Sequence, residues 1–183
     1  MELKEGHFYH IYNQGNNRKK IFFSKQNYTF FLEKINEYLF PYCDILAWCL
    51  MPNHFHVLVF IKSEILTINE KENTINSSIG IILRSYTRAI NIQNNWTGSL
   101  FRQKTKASHI EIAEYENSNK NKRPYLNECF NYIILNPVKD ELVKEPQMWE
   151  FSSYSDTIGI REPRLINLEL IKKMELTVDH LAP

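Results

Sequence analysis

The chain lacks the long apolar run that a membrane span or a secretory leader requires. None of its 183 residues falls in a window as apolar as a transmembrane helix, which needs roughly 18 such residues in a row. The opening segment, MELKEGHFYHIYNQG, also has no apolar stretch of signal-peptide length. We therefore expect no membrane partner and a cytoplasmic location. A hydrophobic content of 43% supports one well-packed domain better than two.

Paired cysteines are also missing. The three cysteines, Cys43, Cys49 and Cys129, are an odd number and form no CxxC motif. This spacing argues against a disulfide framework and against a zinc site built from thiolates. We expect reduced cysteines that are buried as small apolar side chains.

Strong net charge is absent, but acidic residues are unevenly distributed. The formal net charge is only +1. Residues 6–32 and 73–110 nevertheless contain no Asp or Glu, while both stretches carry basic residues. The molecule should therefore have basic faces that are suited to a polyanion. An ordinary solvated surface remains the alternative for either stretch.

Apolar periodicity predicts the order strand, helix, strand, strand, helix, strand, helix. The predicted strands are 7–13, 43–50, 54–61 and a weak one at 107–112, with a polar loop at 63–76 and a polar linker at 117–123. Ser24 caps a helix that ends before Pro41, Ser77 or Ser78 opens the second, and the third runs from about Pro124 to Asn136 until Pro137 ends it.

This order is typical of an α+β protein with a ferredoxin-like antiparallel sheet, helices on one face and an added C-terminal helix. We predict a single domain over residues 1–159. Residues 160–183 form a tail, in which LINLELIKKMEL indicates a short helix.

Two histidines begin the second strand of the predicted hairpin. In a strand, His54 and His56 project to the same side, about 7 Å apart, while Phe55 points to the other side. Tyr132 and Asn136, four residues apart, share one face of the third helix. Together these residues could supply two nitrogen ligands, an oxygen ligand and a nucleophile to one metal site. Each also has a structural explanation when taken alone.

Five segments, taken in order, resemble the blocks of the REP-associated tyrosine transposases, a branch of the single-strand HUH transposases. They are HFYHIYNQGNNRKKIFF, LAWCLMPNHFHVLV, GSLFRQKTK, YIILNPVKDELV and WEFSSY, spread over residues 6–155. The resemblance implies a metal-dependent DNA strand-transfer enzyme with a ferredoxin-like fold. It makes His54, His56 and Asn136 the ligands of Mg²⁺ or Mn²⁺ and Tyr132 the nucleophile.

The expected reaction is cleavage and rejoining of single-stranded DNA, as a hairpin or a repeat, through a 5′-phosphotyrosine that conserves the energy of the broken bond. Because the ligands are uncharged, we expect weak metal binding until a DNA phosphate joins the site. The candidate DNA-binding residues are Arg18, Lys19, Lys20, Arg84, Arg88, Arg102, Lys104 and Lys106, and Trp96 or Phe101 could stack on bases.

Two other functions remain open from the sequence. The chain could be a non-catalytic nucleic-acid-binding module of the same fold, or a metal-dependent phosphoesterase that uses water while Tyr132 is only structural. A monomer and a homodimer are both compatible with the sequence, and an active enzyme would associate with the nucleoid.

Overall fold

The computed structural model describes residues 2–68, 71–111 and 124–179, which form a mixed α+β fold. The strands are β1 (Phe8–Gln14), β2 (Cys43–Met51), β3 (His54–Ile61), β4 (Ile65–Ile68), β5 (Lys71–Thr74) and β6 (Lys106–Ile110). The helices are α1 (Lys25–Tyr38), α2 (Ile75–Asn94), α3 (Pro124–Ile134), α4 (Asn136–Lys139), α5 (Tyr154–Thr157) and α6 (Leu168–Lys173). The predicted linker at 117–123 lies outside the described residues.

Four strands form one antiparallel sheet in the order β2-β3-β1-β6. Helix α1 connects β1 to β2, and α2 connects the β4–β5 hairpin to β6. This order, with the first and third strands adjacent at the centre, is that of a ferredoxin-like fold. The predicted fold class is therefore confirmed, and the strand bounds lie within two residues of the predicted ones at every end that the structure describes.

The two faces of the sheet carry different helices. Phe55, the second residue of β3, points to the face covered by α1 and α2, where its ring packs on Phe31 of α1. Phe31 in turn contacts Tyr86 of α2. His56, which follows Phe55 in β3, points to the opposite face and contacts Tyr132 of α3. Alternation along β3 thus separates the aromatic core from the face that carries the histidines.

The start of α2 differs from its prediction. Helix α2 begins at Ile75, before Ser77 and Ser78, because Thr74 is the N-cap and its hydroxyl accepts a hydrogen bond from the Ser77 backbone N–H at 3.1 Å. Helix α1 agrees with its prediction, since Ser24 caps it through a reciprocal capping box with Asn27.

The predicted loop at 63–76 is wrong. Strands β4 and β5 form an antiparallel hairpin there, with Ile65 opposite Thr74. The Tyr42 hydroxyl donates a hydrogen bond to the Asn73 carbonyl, which ties the hairpin to the domain. The polar composition concealed these strands because they form a separate two-stranded sheet rather than extending the main one.

The third helix is shorter than predicted. Helix α3 ends at Ile134, and α4 starts at Asn136 with Pro137 in its first turn instead of terminating a helix. Proline fits there because the first turn of a helix leaves its backbone donors unpaired. Leu135 stays in the helical region between the two segments, with φ −97° and ψ 0°, so Tyr132 and Asn136 remain near neighbours.

Residues on both sides of α5 run along the β2 edge of the sheet. The Asn167 N–H donates to the Ile45 carbonyl, and the Ser153 N–H donates to the Trp48 carbonyl. Helix α6 is the short helix that was expected in the tail. Further on, residues 177–179 bind α3, where the buried Asn131 side chain donates to the Thr177 carbonyl and accepts from the Asp179 N–H.

None of the helices in the described residues is both long enough and apolar enough to cross a bilayer.

Candidate metal and tyrosine site

The two histidines of β3 lie side by side on the face opposite the aromatic core. Their ring centroids are 4.8 Å apart. His56 is buried and His54 is half-buried, so both rings sit at the floor of the site rather than on open surface. Phe55 fixes this orientation because its buried side chain anchors β3 from the other face.

Helix α3 brings Tyr132 to the same point. The Tyr132 ring centroid is 5.4 Å from that of His56, and 41% of the residue is exposed. Its neighbours Asn131 and Ile133 are buried, so α3 is held firmly while its tyrosine remains accessible. The Lys139 ammonium of α4 lies 5.3 Å from the centroid of the Tyr132 ring. The Tyr132 side chain is therefore accessible and lies near a positive charge.

Asn136 completes the cluster and leaves an unpaired oxygen. Asn136 is buried, and among the described residues its Oδ1 has no hydrogen-bond partner. The buried Nε2 of His56 likewise has none. A nitrogen and an oxygen that both lack partners in a buried site match the donor set of a divalent cation, whereas such atoms would otherwise be destabilising. The residues present therefore fit a metal ion.

The described parts of the chain offer no metal site that is built only from His, Cys, Asp or Glu side chains. Within residues 2–68, 71–111 and 124–179, no group of three His, Cys, Asp or Glu side chains could hold a metal ion. A metal centre here depends on an amide as its third ligand. Cys43 and Cys49 are buried free thiols, as expected, and Cys129 is half-buried. Burial raises the pKa of all three thiols.

Asn53 orients His54. The Nδ1 of His54 lies 2.5 Å from the Asn53 Oδ1. Because an amide oxygen only accepts, the His54 Nδ1 must donate, and its Nε2 keeps a lone pair. The Asn53 carbonyl accepts from the Gly15 N–H, and the Asn53 amide donates to the Arg18 carbonyl. The loop after β1 therefore positions the turn that precedes the histidines.

Gly15 allows this loop to approach closely. A Cβ atom at Gly15 would lie 2.2 Å from the Lys19 carbonyl oxygen and 2.9 Å from a methyl of Ile21. Both distances are shorter than any normal contact, so only glycine fits. The backbone N–H groups of Ile21 and Phe22 then donate to the Pro52 carbonyl, which adds a second tie to the same turn.

Burial keeps the imidazoles uncharged. Burial, with smaller contributions from the neighbouring His10 and His54, lowers the pKa of His56 to about 2. Burial alone lowers the pKa of His10 to about 4. The pKa of His54 is also lowered by burial, although the nearby Asp140 carboxylate and the Asn136 side chain oppose this effect. Neutral imidazole is the form that binds metal ions.

A groove of about 1410 Å³ lies between α2 and the loop that leads to β6. Four of the predicted DNA-binding residues line it, namely Arg84, Arg88, Arg102 and Lys104, together with both predicted stacking residues, Trp96 and Phe101. No acidic residue is among the described side chains that line it. Trp96 is exposed, whereas Phe101 is buried and packs in the aromatic core.

The groove reaches the end of the sheet where the histidines lie. The Arg102 N–H donates to the Gln14 carbonyl at the end of β1, and Gln14 pairs with His54. The Asn13 side chain donates to the Arg102 carbonyl and to the Thr105 hydroxyl. The basic loop is therefore anchored directly beside the metal-ligand candidates.

The other predicted DNA-binding residues are dispersed. Arg18 and Lys20 line a smaller cleft of about 610 Å³, together with Asn53 and Lys139. Lys19 and Lys106 are exposed but line neither the groove nor this cleft. The structure thus groups six of the eight predicted cations into two surfaces.

Three residues at the site escaped the sequence analysis. His10 of β1 contacts His56, Asn53 orients His54, and Lys139 lies over Tyr132. The pattern of β1 contains a usable signal for His10, because it and Tyr12 alternate with buried residues and must share a face. Which face that is depends on the pairing register.

Comparisons with known proteins give two relevant matches. The REP-associated tyrosine transposase of Escherichia coli (strain K12) is 26% identical to this chain over 111 residues, which are 61% of this chain and 54% of the relative. The matched segment therefore spans about half the length of that curated relative. No family model matches the chain.

The second match is a solved structure of a REP-associated tyrosine transposase bound to a REP hairpin. It superposes with a TM-score of 0.62 at 18% identity, covering 87% of this chain and 83% of that one. This likeness supports the ferredoxin-like fold derived above.

Proposed function

We propose that this protein is a transposase-like enzyme that cleaves and rejoins single-stranded or hairpin DNA through a 5′-phosphotyrosine on Tyr132. One observation carries the proposal: the exposed Tyr132 lies beside the buried His56. Among the described residues, neither the Nε2 of His56 nor the Oδ1 of Asn136 has a hydrogen-bond partner. Both matched proteins are named as REP-associated tyrosine transposases, and the solved one is bound to a REP hairpin. Their names agree with this assignment.

His54, His56 and Asn136 would hold a divalent cation, Mg²⁺ or Mn²⁺. When bound, such an ion draws charge from a non-bridging phosphate oxygen and so reduces the repulsion that protects a phosphodiester. Mixed nitrogen and oxygen ligands suit Mn²⁺ well, and Mg²⁺ relies more on oxygen. Because all three ligands are uncharged, a DNA phosphate should strengthen the affinity of the site for the ion.

Tyr132 would supply the nucleophile. Its hydroxyl gives up a proton to solvent, its oxygen forms a bond to phosphorus, and the bond from phosphorus to the 3′ oxygen breaks. The departing 3′ oxygen takes up a proton from solvent, so that a free 3′-OH and a 5′-phosphotyrosine result. The Lys139 ammonium beside the ring stabilises the negative phenolate that forms during this step. Attack by another 3′-OH reverses the reaction and joins two strands without ATP.

The basic groove would bind the substrate. Arg84, Arg88 and Arg102 can contact phosphates, and the exposed Trp96 can stack on a base. A strand leaving this groove meets the end of β1, next to His54. The buried Phe101 is a packing residue, so among the two predicted stacking residues only Trp96 remains a candidate.

A denaturing gel tests the reaction. Hairpin DNA with a single-stranded extension and a 3′ label is incubated with the protein and Mn²⁺ or Mg²⁺. We expect a labelled fragment that is attached to the protein through its 5′ phosphate, that is absent in Tyr132→Phe and that is retained in the control Tyr125→Phe, which changes an exposed tyrosine of the same helix.

Other results on this gel identify other functions. Cleavage that persists in Tyr132→Phe without an adduct would indicate a phosphoesterase that uses water. Binding without cleavage, with either metal, would indicate a non-catalytic nucleic-acid-binding module. Either result contradicts the proposed mechanism.

Salt dependence tests the groove. Each phosphate contact on single-stranded DNA contributes a slope of about −0.7 to the plot of log affinity against log salt concentration. The double variant Arg84→Ala/Arg88→Ala should therefore flatten this slope by up to about 1.4. Lys172→Ala/Lys173→Ala removes two exposed cations from α6 and serves as the control. Equal slopes for the two double variants would place the DNA elsewhere.

A further inference from the structure

His10 makes the shortest side-chain contact to His56 from outside the predicted ligand set. The His10 Nε2 lies 2.8 Å from the His56 Nδ1. His10 is on β1 and His56 on β3, where the register pairs Tyr12 with His56. The contact therefore runs diagonally between two adjacent, hydrogen-bonded strands, and the sheet itself fixes its geometry.

One hydrogen must lie between these two nitrogens. Two lone pairs at 2.8 Å would repel each other, and two N–H groups would clash. The hydrogen belongs either to His56 Nδ1 or to His10 Nε2, and the choice decides the state of the other His56 nitrogen. When Nδ1 of a neutral imidazole carries the hydrogen, Nε2 has a lone pair.

The surroundings of His56 Nε2 favour that arrangement. This atom is buried and has no hydrogen-bond partner among the described residues. A hydrogen on it would be a buried donor without an acceptor, whereas a lone pair on it is a ligand for a cation that also uses the unpaired Asn136 Oδ1.

We propose that His10 is a positioning residue that accepts a hydrogen bond from His56 Nδ1 and thereby holds His56 in the tautomer whose Nε2 can bind the metal ion. Asn53 performs the same task for His54 through an amide oxygen. The two ligands thus have different orienting partners. This inference rests on the metal site proposed above, although the tautomer of His56 can be measured without metal or DNA.

The first measurement is made on the metal-free protein. Long-range ¹H–¹⁵N NMR spectra distinguish a protonated from an unprotonated ring nitrogen. We expect a protonated Nδ1 and an unprotonated Nε2 for His56 in the wild type. The opposite tautomer in the wild type overturns the proposal, whatever the protein does to DNA, so this result is independent of the proposed reaction.

The second measurement is Mn²⁺ affinity, obtained by electron paramagnetic resonance of the free ion. His10→Phe removes the acceptor and keeps an aromatic ring, and it should weaken Mn²⁺ binding by about 10- to 100-fold, as is usual when an outer partner of a metal-binding histidine is lost. His10→Gln supplies an amide oxygen in its place and should stay within about threefold of the wild type by the same reasoning.

Tyr12→Phe provides the matched control. The Tyr12 ring lies 4.8 Å from that of His10 and 5.8 Å from that of His56, so this variant perturbs the same cluster without touching the hydrogen bond. Its Mn²⁺ affinity should equal that of the wild type. Equal affinities for His10→Phe and Tyr12→Phe, with melting temperatures unchanged, would refute the positioning role.

Discussion

Neutral histidines under the tyrosine helix make the stability of the protein sensitive to mild acid. Burial lowers the pKa of His56 to about 2 and that of His10 to about 4, from 6.5. Between pH 7 and pH 5 the unfolded chain binds protons at both positions while the folded chain does not. Because the unfolded state takes up more protons, the free energy of unfolding falls as the pH falls below 6.5.

The two pKa shifts set the size of this effect. At pH 5 the solution is about 1.5 pH units below the unfolded pKa and still above both folded values, so each histidine should remove about 2 kcal/mol of stability relative to pH 7. Together they account for about 3–4 kcal/mol, which is a large part of the 5–15 kcal/mol that is typical of a folded domain.

Urea unfolding at pH 7 and pH 5, with EDTA present to remove metal ions, measures the effect. The double variant His10→Gln/His56→Gln should lose most of the pH dependence, whatever its absolute stability. His7→Gln, which removes an exposed histidine, should keep the dependence of the wild type. If the double variant and the wild type lost the same stability between the two pH values, buried neutral histidines would not be the cause.

Three further predictions concern other parts of the molecule. Tyr132 and His56 meet within one chain, so mixing inactive Tyr132→Phe with inactive His56→Ala should not restore DNA cleavage on gels; restored cleavage would mean that subunits share sites. Gly15→Ala should lower the free energy of unfolding by about 2 kcal/mol or more in urea titrations, because its Cβ would clash with backbone; an unchanged midpoint would contradict this. Asp156 is fully buried and pairs with Arg161, which also donates to the Glu150 and Ser152 carbonyls. Asp156→Ala removes the carboxylate that balances the Arg161 charge and should destabilise the fold by about 3–5 kcal/mol; calorimetry that shows a loss below about 1 kcal/mol would refute the pairing argument.

Local patterns in the sequence were sufficient for the sheet and for the orientation of the histidines. Strict alternation around Phe55 determines which side chains reach each face, and this requires no knowledge of the partner strands. The contact between His10 and His56 could not be found in this way, because it depends on the register of β1 against β3. A shift of one residue would have turned His10 into the aromatic core.

The other differences also arise from interactions across the fold. Asn136 does not belong to the same regular helix as Tyr132, yet the helical conformation of Leu135 keeps the two side chains together. The hairpin at 65–74 has a composition typical of a loop. Its two strands form because they pair with each other, which the composition does not reveal. Sequence spacing therefore predicted that Tyr132 and Asn136 are neighbours, although the structure places them on two consecutive helices instead of one.

The path of the chain along β2 has a consequence for association between copies. An open edge strand offers unpaired N–H and C=O groups to any extended segment, including the same strand of another molecule. Here the chain's own residues occupy those groups, since Ile166 bridges to Ile45 and Ser152 bridges to Cys49. Sheet-to-sheet joining and fibre growth at this edge would first require both bridging segments to be displaced. The residues that flank α5 on both sides thus protect the β2 edge against aggregation.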